Sequence, residues 1–317
     1  MSQPVRWLLM VLPFALWGTA MAAMTTLLAT SGSLILAWLR LVPAGILLLL
    51  SLPMLGRSWR IAYTDRIWLL LFSLIDASLF QGMLAQGLKD TGAGLGSVLI
   101  DSQPLIVALL ARTFFAEAIN PIGWIGLGLG VLGIILVGLP SSILYQWWTE
   151  GILTQSTSWG VGEVWMLGAA LSMAIGTVIS RYASQSSDPV AVTGWHMIIG
   201  GLPLVGLHKF THTSGGFWPQ WSLWQWGLMA YASFLGSALA YGLFFWFTKN
   251  EELTSFTSLT FLTPVFALLC GITILNEHLS PLQWIGVGLA LTSVVLVNQR
   301  RSLWQRIPWF YHYNSEQ

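Results

Sequence analysis

The sequence predicts an all-α, polytopic membrane protein with ten transmembrane helices in two inverted five-helix repeats, and three observations lead there. Its apolar runs have the length of membrane spans, its basic residues gather at one end of those spans, and one phrase is written twice. The phrase AEAINPIGWIG (116–126) returns as NEHLSPLQWIG (276–286), with Glu, Pro, Trp, Ile and Gly at the same spacing 160 residues on.

The composition removes the soluble alternatives. Of 317 residues, 55% are hydrophobic and 8% charged, against about 25% charged in a soluble domain. A run of about 20 apolar residues spans the hydrocarbon layer, and its backbone must satisfy its own hydrogen bonds there. The runs lack the period-2 alternation of barrel strands, so they are helices. A net charge of +1 carries no nucleic-acid signal, and the single cysteine, Cys270, cannot form an intrachain disulfide.

Breaks at Gly, Pro, charge and turn clusters divide the chain into spans near 7–29, 34–55, 67–87, 92–114, 121–140, 160–181, 189–208, 224–247, 254–275 and 281–298. The first follows Arg6 and contains Ala20-Met21-Ala22, which looks like a signal-peptide cleavage site. It continues to Ala29, however, and a matching helix opens the second half, so it is expected to stay as a span. The longest polar break, 141–159 with Tyr145, Trp147 and Trp148, separates a first repeat (1–140) from a second (160–298). A tail, 299–317, follows and is expected to lie on the inner membrane surface through Trp304, Trp309, Phe310 and Tyr311. Trp218, Trp221, Trp224 and Trp226 read as an aromatic belt at the outer interface.

Basic residues orient the spans. With the N-terminus inside, Arg6, Arg57, Arg60, Arg66, Arg112, Arg181, Lys249, Arg300, Arg301 and Arg306 fall on the cytoplasmic side, and only Lys89 and Lys209 outside. Lys and Arg favour the cytoplasmic face, so a multi-pass cell-membrane protein with both termini cytoplasmic is expected.

The repeat extends well beyond the opening phrase. Between 73–139 and 233–299, 17 of 67 positions are identical, including Gly82/Gly242, Lys89/Lys249, Pro104/Pro264, Glu117/Glu277, Pro121/Pro281, Trp124/Trp284, Gly126/Gly286 and Gly128/Gly288. Gly18-Thr19 also matches Gly176-Thr177, and Trp38 matches Trp195. Five spans is an odd number, so the second copy enters the membrane upside down. Inverted repeats about an axis in the membrane plane mark alternating-access transporters, with a substrate site between the halves.

Spans four and five, GLGSVLIDSQPLIVALLARTFFAEAINPIGWIGLGLGVLGIILVG, and spans nine and ten, TSFTSLTFLTPVFALLCGITILNEHLSPLQWIGVGLALTSVVLVN, share a mid-helix Pro, a Glu after the helix, a Pro opening the next helix and Gly-rich packing. Both resemble the EamA module of the drug/metabolite transporter superfamily, as do FALWGT (14–19) and Trp38-Leu39-Arg40. The resemblance covers residues 7–298 in two copies. It implies a ten-helix, mostly export-type transporter of small metabolites such as amino acids, and no single substrate.

Candidate site residues are those that are costly in a membrane. A charge at a helix centre costs roughly 2.5–3.5 kcal/mol. Arg40, Asp76 and Asp101 stand within spans, and their aligned positions are Met197, Gly236 and Phe261. Charges unique to one half suggest a task that breaks the symmetry. Arg40 either snorkels outward, pairs with Asp101, or anchors an anionic group of the substrate. Asp76 either makes a structural hydrogen bond or takes up and releases a proton as the site opens to each side. His196 suits the same step, since an imidazole changes charge near about pH 6.5. Trp17, Gln81, Gln103, Trp195 and Tyr241 lie at cavity depth, where packing and substrate contact both remain open readings. Pro104 and Pro264 each remove a backbone hydrogen bond and read as hinges. The repeated Glu117 is expected to favour the N-terminus of the helix that follows it.

Gly128 to Gly133 matches GxGxxG with no strand before it, and reads as helix packing. The chain has no Walker A sequence, GxSxG, HExxH or cysteine pair, so neither an enzyme, a metal nor a cofactor is expected. The expected partners are a small-molecule substrate and the lipid bilayer, with no nucleic acid; a homodimer is left open. The expected function is secondary active transport of a small polar, amino-acid-like metabolite, by export. Proton-coupled multidrug efflux of small organic cations is the alternative, with Asp76 as its acid. A phosphate-ester exchanger would need several cavity Lys or Arg, and only Arg40 qualifies.

Overall fold

The computed structural model describes residues 2–28, 30–138, 160–211, 218–275 and 280–305, with the side chains of residues 25, 92–95, 97, 98, 211 and 271–275 set aside. Among them every regular element is helical. In chain order these are α1 (Gln3–Leu28), α2 (Ser33–Met54), α3 (Arg66–Phe72), α4 (Gln81–Ile100), α5 (Gln103–Phe115), α6 (Pro121–Gly138), α7 (Val161–Ala183), α8 (Pro189–Thr211), α9 (Leu223–Ser233), α10 (Ala240–Asn250), α11 (Leu253–Thr257), α12 (Thr263–Leu275) and α13 (Pro281–Gln305). Four short segments of other helix types adjoin some of them: a 3-10 helix at Tyr63–Asp65, a π-helix at Ser73–Phe80, another at Phe234–Leu239, and a 3-10 helix at Ser258–Leu262.

Nine of the described helical stretches are long and apolar enough to cross a membrane, and Gln103–Phe115 is a shorter apolar helix. Span four therefore departs from expectation. α4 runs on to Ile100, and the break comes at Asp101-Ser102. Lys89 and Asp90 end an apolar stretch, but no proline follows them to interrupt backbone hydrogen bonding. The predicted outer loop 141–159, Glu277, and Arg306, Trp309, Phe310 and Tyr311 of the tail lie outside the described residues. α13 continues through 299 to Gln305, and Arg300 within it is buried at 1% exposure.

Antiparallel helix pairs reveal the duplication. α6 packs on α13 through glycine. A Cβ added to Gly126 would sit 2.8 Å from the Val297 side chain and 3.1 Å from that of Leu296. One added to Gly286 would sit 2.9 Å from Val137 and 2.9 Å from Leu136. Each contact maps onto the other by the same 160-residue shift that the sequence repeat shows. Reciprocal contacts along two antiparallel helices require a two-fold axis perpendicular to both, which is the geometry of inverted repeats.

The distortions repeat too. The two π-helices lie at positions related by that shift, and the break at Asp101-Ser102 matches the end of the 3-10 helix at Ser258–Leu262. Pro104 and Pro264 each stand at the second position of the helix after the interruption, α5 and α12. A proline there loses no hydrogen bond that the first turn would have made. The two prolines therefore do not remove a hydrogen bond, as their place within a span suggested; the π-helices, which are rare and tend to occur at functional sites, left no mark in the sequence.

Candidate functional site: a central polar cavity

Where these distortions meet, the bundle encloses a cavity of about 50 Å³. Trp17, Met21 and Met24 of α1, Arg40 of α2, Asp101 at the α4–α5 break, Tyr241 of α10, Thr260 of the 3-10 helix Ser258–Leu262 and Thr263 at the start of α12 line it, with Phe80, Leu84 and Met173 among its apolar walls. That space holds a few water molecules, so a metabolite enters only when helices part.

Four lining groups have no hydrogen-bond partner among the described residues: the Trp17 indole nitrogen, Asp101 Oδ2, and the hydroxyls of Thr260 and Thr263. Buried polar groups are nearly always satisfied, and exceptions call for an explanation. Here they converge on one space, which is what a site awaiting a polar ligand requires.

Arg40 is held in place. Its Nε donates to Ser237 Oγ at 2.8 Å and its Nη1 to Gln81 Oε1 at 3.2 Å. Gln81 in turn donates to the Tyr241 hydroxyl at 2.7 Å, and the guanidinium lies 5.7 Å from the Tyr241 ring centroid. Ser237 belongs to the second π-helix. Arg40 therefore neither snorkels outward, being 4% exposed, nor forms an ion pair with Asp101. The arginine and the acid line one cavity without pairing. Both alternatives weighed for Arg40 fail because α2 turns the side chain inward, where π-helix and α4 donors and acceptors seat it.

Behind the cavity is a second polar pair. His196 Nε2 lies 3.0 Å from Asp76 Oδ2, with both side chains 1% exposed. His196 Nδ1 faces the Thr193 carbonyl at 3.1 Å. Phe72 stacks on the imidazole at 4.0 Å between centroids, and Phe245 meets it edge-on at 5.5 Å. Asp76 sits in the first π-helix. Opposite it α7 offers Gly176, where a Cβ would fall 2.5 Å from Asp76 Oδ1. Oδ1 itself has no partner among the described residues.

Two predicted residues lie elsewhere. Gln103 donates to Thr177 Oγ1 at 3.4 Å and does not line the cavity. Trp195 faces the end of the bundle that carries Arg6 and Arg300, where its indole donates to the Trp59 carbonyl at 2.9 Å. Trp195 lies on the face of α8 turned toward Trp59, whereas the next residue, His196, faces Asp76. Thr260 and Thr263 were missed. The available signal was their position beside Pro264, where two hydroxyls interrupt an apolar run.

The end of the bundle bearing Arg6 and Arg300, here the basic end, is closed by ion pairs. Arg6 bonds Glu251, Arg300 bonds Glu252, and Arg181 approaches Glu117 at 3.9 Å. Glu117 also accepts from the backbone nitrogens of Leu253 (2.7 Å) and Thr254 (3.0 Å), and from Thr254 Oγ1 at 2.8 Å. The repeated Glu thus caps α11, in the other half of the chain, rather than α6 beside it. Ala116, with φ of 52°, turns the chain so that Glu117 points across the interface.

A bundle of antiparallel, repeat-related helices around a buried polar cavity defines a multi-pass membrane transporter, not an enzyme. The chain belongs to the EamA-like transporter family, which it matches twice, over residues 6–139 and 160–299. It is 50% identical over 303 residues to the uncharacterized transporter sll0355 of Synechocystis, covering 93% of this chain and 90% of that protein. It is 44% identical to the WAT1-related protein At3g02690, chloroplastic, of Arabidopsis thaliana, covering 93% of this chain and 69% of that one. A solved protein structure shares the fold with a TM-score of 0.75 at 15% identity, over 95% of this chain and 99% of that one.

Proposed function

We propose that this transporter exports a small zwitterionic, amino-acid-like metabolite across the cell membrane by alternating access, with both termini cytoplasmic. The observation that carries the reading is that Arg40 and Asp101, an arginine and an acid, line a single cavity without forming an ion pair. A substrate carboxylate meets the guanidinium in a charge-assisted hydrogen bond, and its ammonium meets Asp101. The Trp17 indole and the two threonine hydroxyls supply further partners, and Met21, Met24 and Met173 form an adaptable apolar wall.

The Asp76–His196 pair supports proton coupling. A proton held between a buried carboxylate and an imidazole is released when the helices part and water reaches them. The pair communicates with the cavity through Phe245, which stacks on Tyr241 at 5.9 Å. Pro104 and Pro264, at the repeat-related breaks, serve as hinges.

Efflux of small organic cations is the second reading. Asp101 beside the Trp17 and Tyr241 rings, 4.9 Å apart, suits a cation, whereas Arg40 on the same cavity opposes one. Substrate profiling in a strain without its own exporters separates the two. Export of amino acids that is lost in both Arg40→Gln and Asp101→Asn supports the zwitterion. Export of organic cations that survives Arg40→Gln supports efflux, and indifference of every transported compound to both changes overturns the site.

A further inference from the structure

The segment joining α2 to α3, residues 55–65, is strapped down rather than loose. Arg57 pairs with Asp188 at 2.8 Å, Ala62 N donates to Ser187 Oγ at 3.0 Å, and Asp65 Oδ2 accepts from Ser186 N at 2.9 Å. The Trp195 indole donates to the Trp59 carbonyl, and the two indole rings stand 6.3 Å apart. Between this strap, α3 and α8 lies a second cavity of about 400 Å³, open to the surface at the basic end and lined by Trp59, Arg60, Ile61, Arg66, Leu69 and Trp195.

Its charges are uncompensated. At the same end Arg6, Arg57, Arg181, Arg300 and Arg301 each have a carboxylate within 4 Å. Arg60 and Arg66 have none among the described residues; Arg66 contacts only the Tyr63 ring, at 5.4 Å. The one acid in the strap, Asp65, is 1% exposed and turned inward onto the Ser186 nitrogen. Two guanidiniums therefore border one cavity with the local carboxylate withdrawn from it.

The surroundings give the depth. Leu69 of α3 lines the cavity, exposed Ile67, Trp68, Leu70 and Leu71 continue along that helix, and Leu74 follows in the first π-helix. Indoles favour the level where headgroups meet hydrocarbon, and basic pockets between helices there bind anionic headgroups. We propose that this pocket binds the phosphate of an anionic phospholipid, such as phosphatidylglycerol, between Arg60 and Arg66, with the glycerol backbone against Trp59 and Trp195 and the acyl chains along α3. A soluble phosphate would gain the charges but nothing from the apolar helix face below them.

Native mass spectrometry of the delipidated full-length protein tests this, with palmitoyl-oleoyl phosphatidylglycerol or phosphatidylcholine added in detergent. The wild type should retain phosphatidylglycerol preferentially, and Arg60→Gln/Arg66→Gln should lower that preference on the order of tenfold. Arg60→Lys/Arg66→Lys should keep much of it, which guards against a folding defect. Arg112→Gln, an exposed arginine at the end of α5, should change nothing. Equal retention of the two lipids by wild type, an unaltered preference in the Gln pair, or an equal loss in Arg112→Gln would each overturn the proposal. So would displacement of the lipid by inorganic phosphate, which would make this a site for soluble anions.

Discussion

Asp76 and His196 are 120 residues apart in the chain, yet Oδ2 of one lies 3.0 Å from Nε2 of the other, with both side chains 1% exposed. Neither has a counterpart in the opposite repeat, where the aligned positions are Gly236 and Leu39. If the pair carries the coupling proton, Asp76→Asn and His196→Gln should abolish accumulation driven by a pH gradient while sparing substrate exchange at equal pH. Proteoliposomes assayed in both modes measure this. Loss of both modes together would mean that the pair only holds the fold.

Gly176 tests the same pair without altering either member. A methyl there would fall 2.5 Å from Asp76 Cβ, in a buried contact with no slack. Gly176→Ala should therefore push the carboxyl off His196 and reproduce the Asp76→Asn phenotype, at a stability cost of about 1–3 kcal/mol. Parallel flux and thermal-melting measurements check both parts.

Repeat-related glycines in α13 should behave differently. A Cβ at Gly286 would meet the Gly133 carbonyl oxygen at 2.7 Å, whereas Gly288 has nothing within 4 Å. Gly286→Ala should destabilise by about 1–3 kcal/mol. Gly288→Ala should be neutral or gain about 1 kcal/mol from its better helix propensity. Melting temperatures in detergent decide, and equal effects would refute the packing account.

Glu117 closes the basic end by capping α11. Glu117→Gln removes its charge from Arg181 and weakens two backbone hydrogen bonds, a loss of about 1–3 kcal/mol for a charged acceptor. The closed arrangement of that end should become less populated, so a cysteine introduced at Thr257, buried beneath it, should react faster with a water-soluble maleimide in a Cys270→Ser background. Unchanged labelling would show that Glu117 does not hold the gate.

The cavity threonines complete the set. Thr260→Val and Thr263→Val keep size while removing a hydroxyl that has no partner in the closed site. Each should weaken substrate binding by about 1 kcal/mol, close to fivefold, with little change in melting temperature. A change in stability without one in affinity would assign the hydroxyls to structure.

Much of this was legible in the chain itself. The all-helical architecture follows from apolar run length, because a bilayer offers the backbone no other partner, whereas nine rather than ten of the described helical stretches are long enough to span it. The inverted duplication follows from one phrase recurring, with Glu, Pro, Trp, Ile and Gly at the same spacing, after an odd number of spans. Arg40, Asp76, Asp101 and His196 stood out because ionisable groups within a span carry a cost that function has to justify. What the chain could not reveal is which of them meet. Side-chain direction depends on how each helix is rotated, and in this protein two π-helices alter that rotation midway along their spans. Trp17 and Trp195 look alike in sequence, yet the first lines the central cavity and the second a basic pocket near the bundle's end. Glu117 reads as a cap for its own next helix, but the left-handed turn at Ala116 sends it to the opposite half. Sequence alone determined the elements and their symmetry, since those depend on local hydrophobicity and counting. Only the tertiary structure decided the pairings, since those depend on rotations and close approaches summed over helices far apart in the chain.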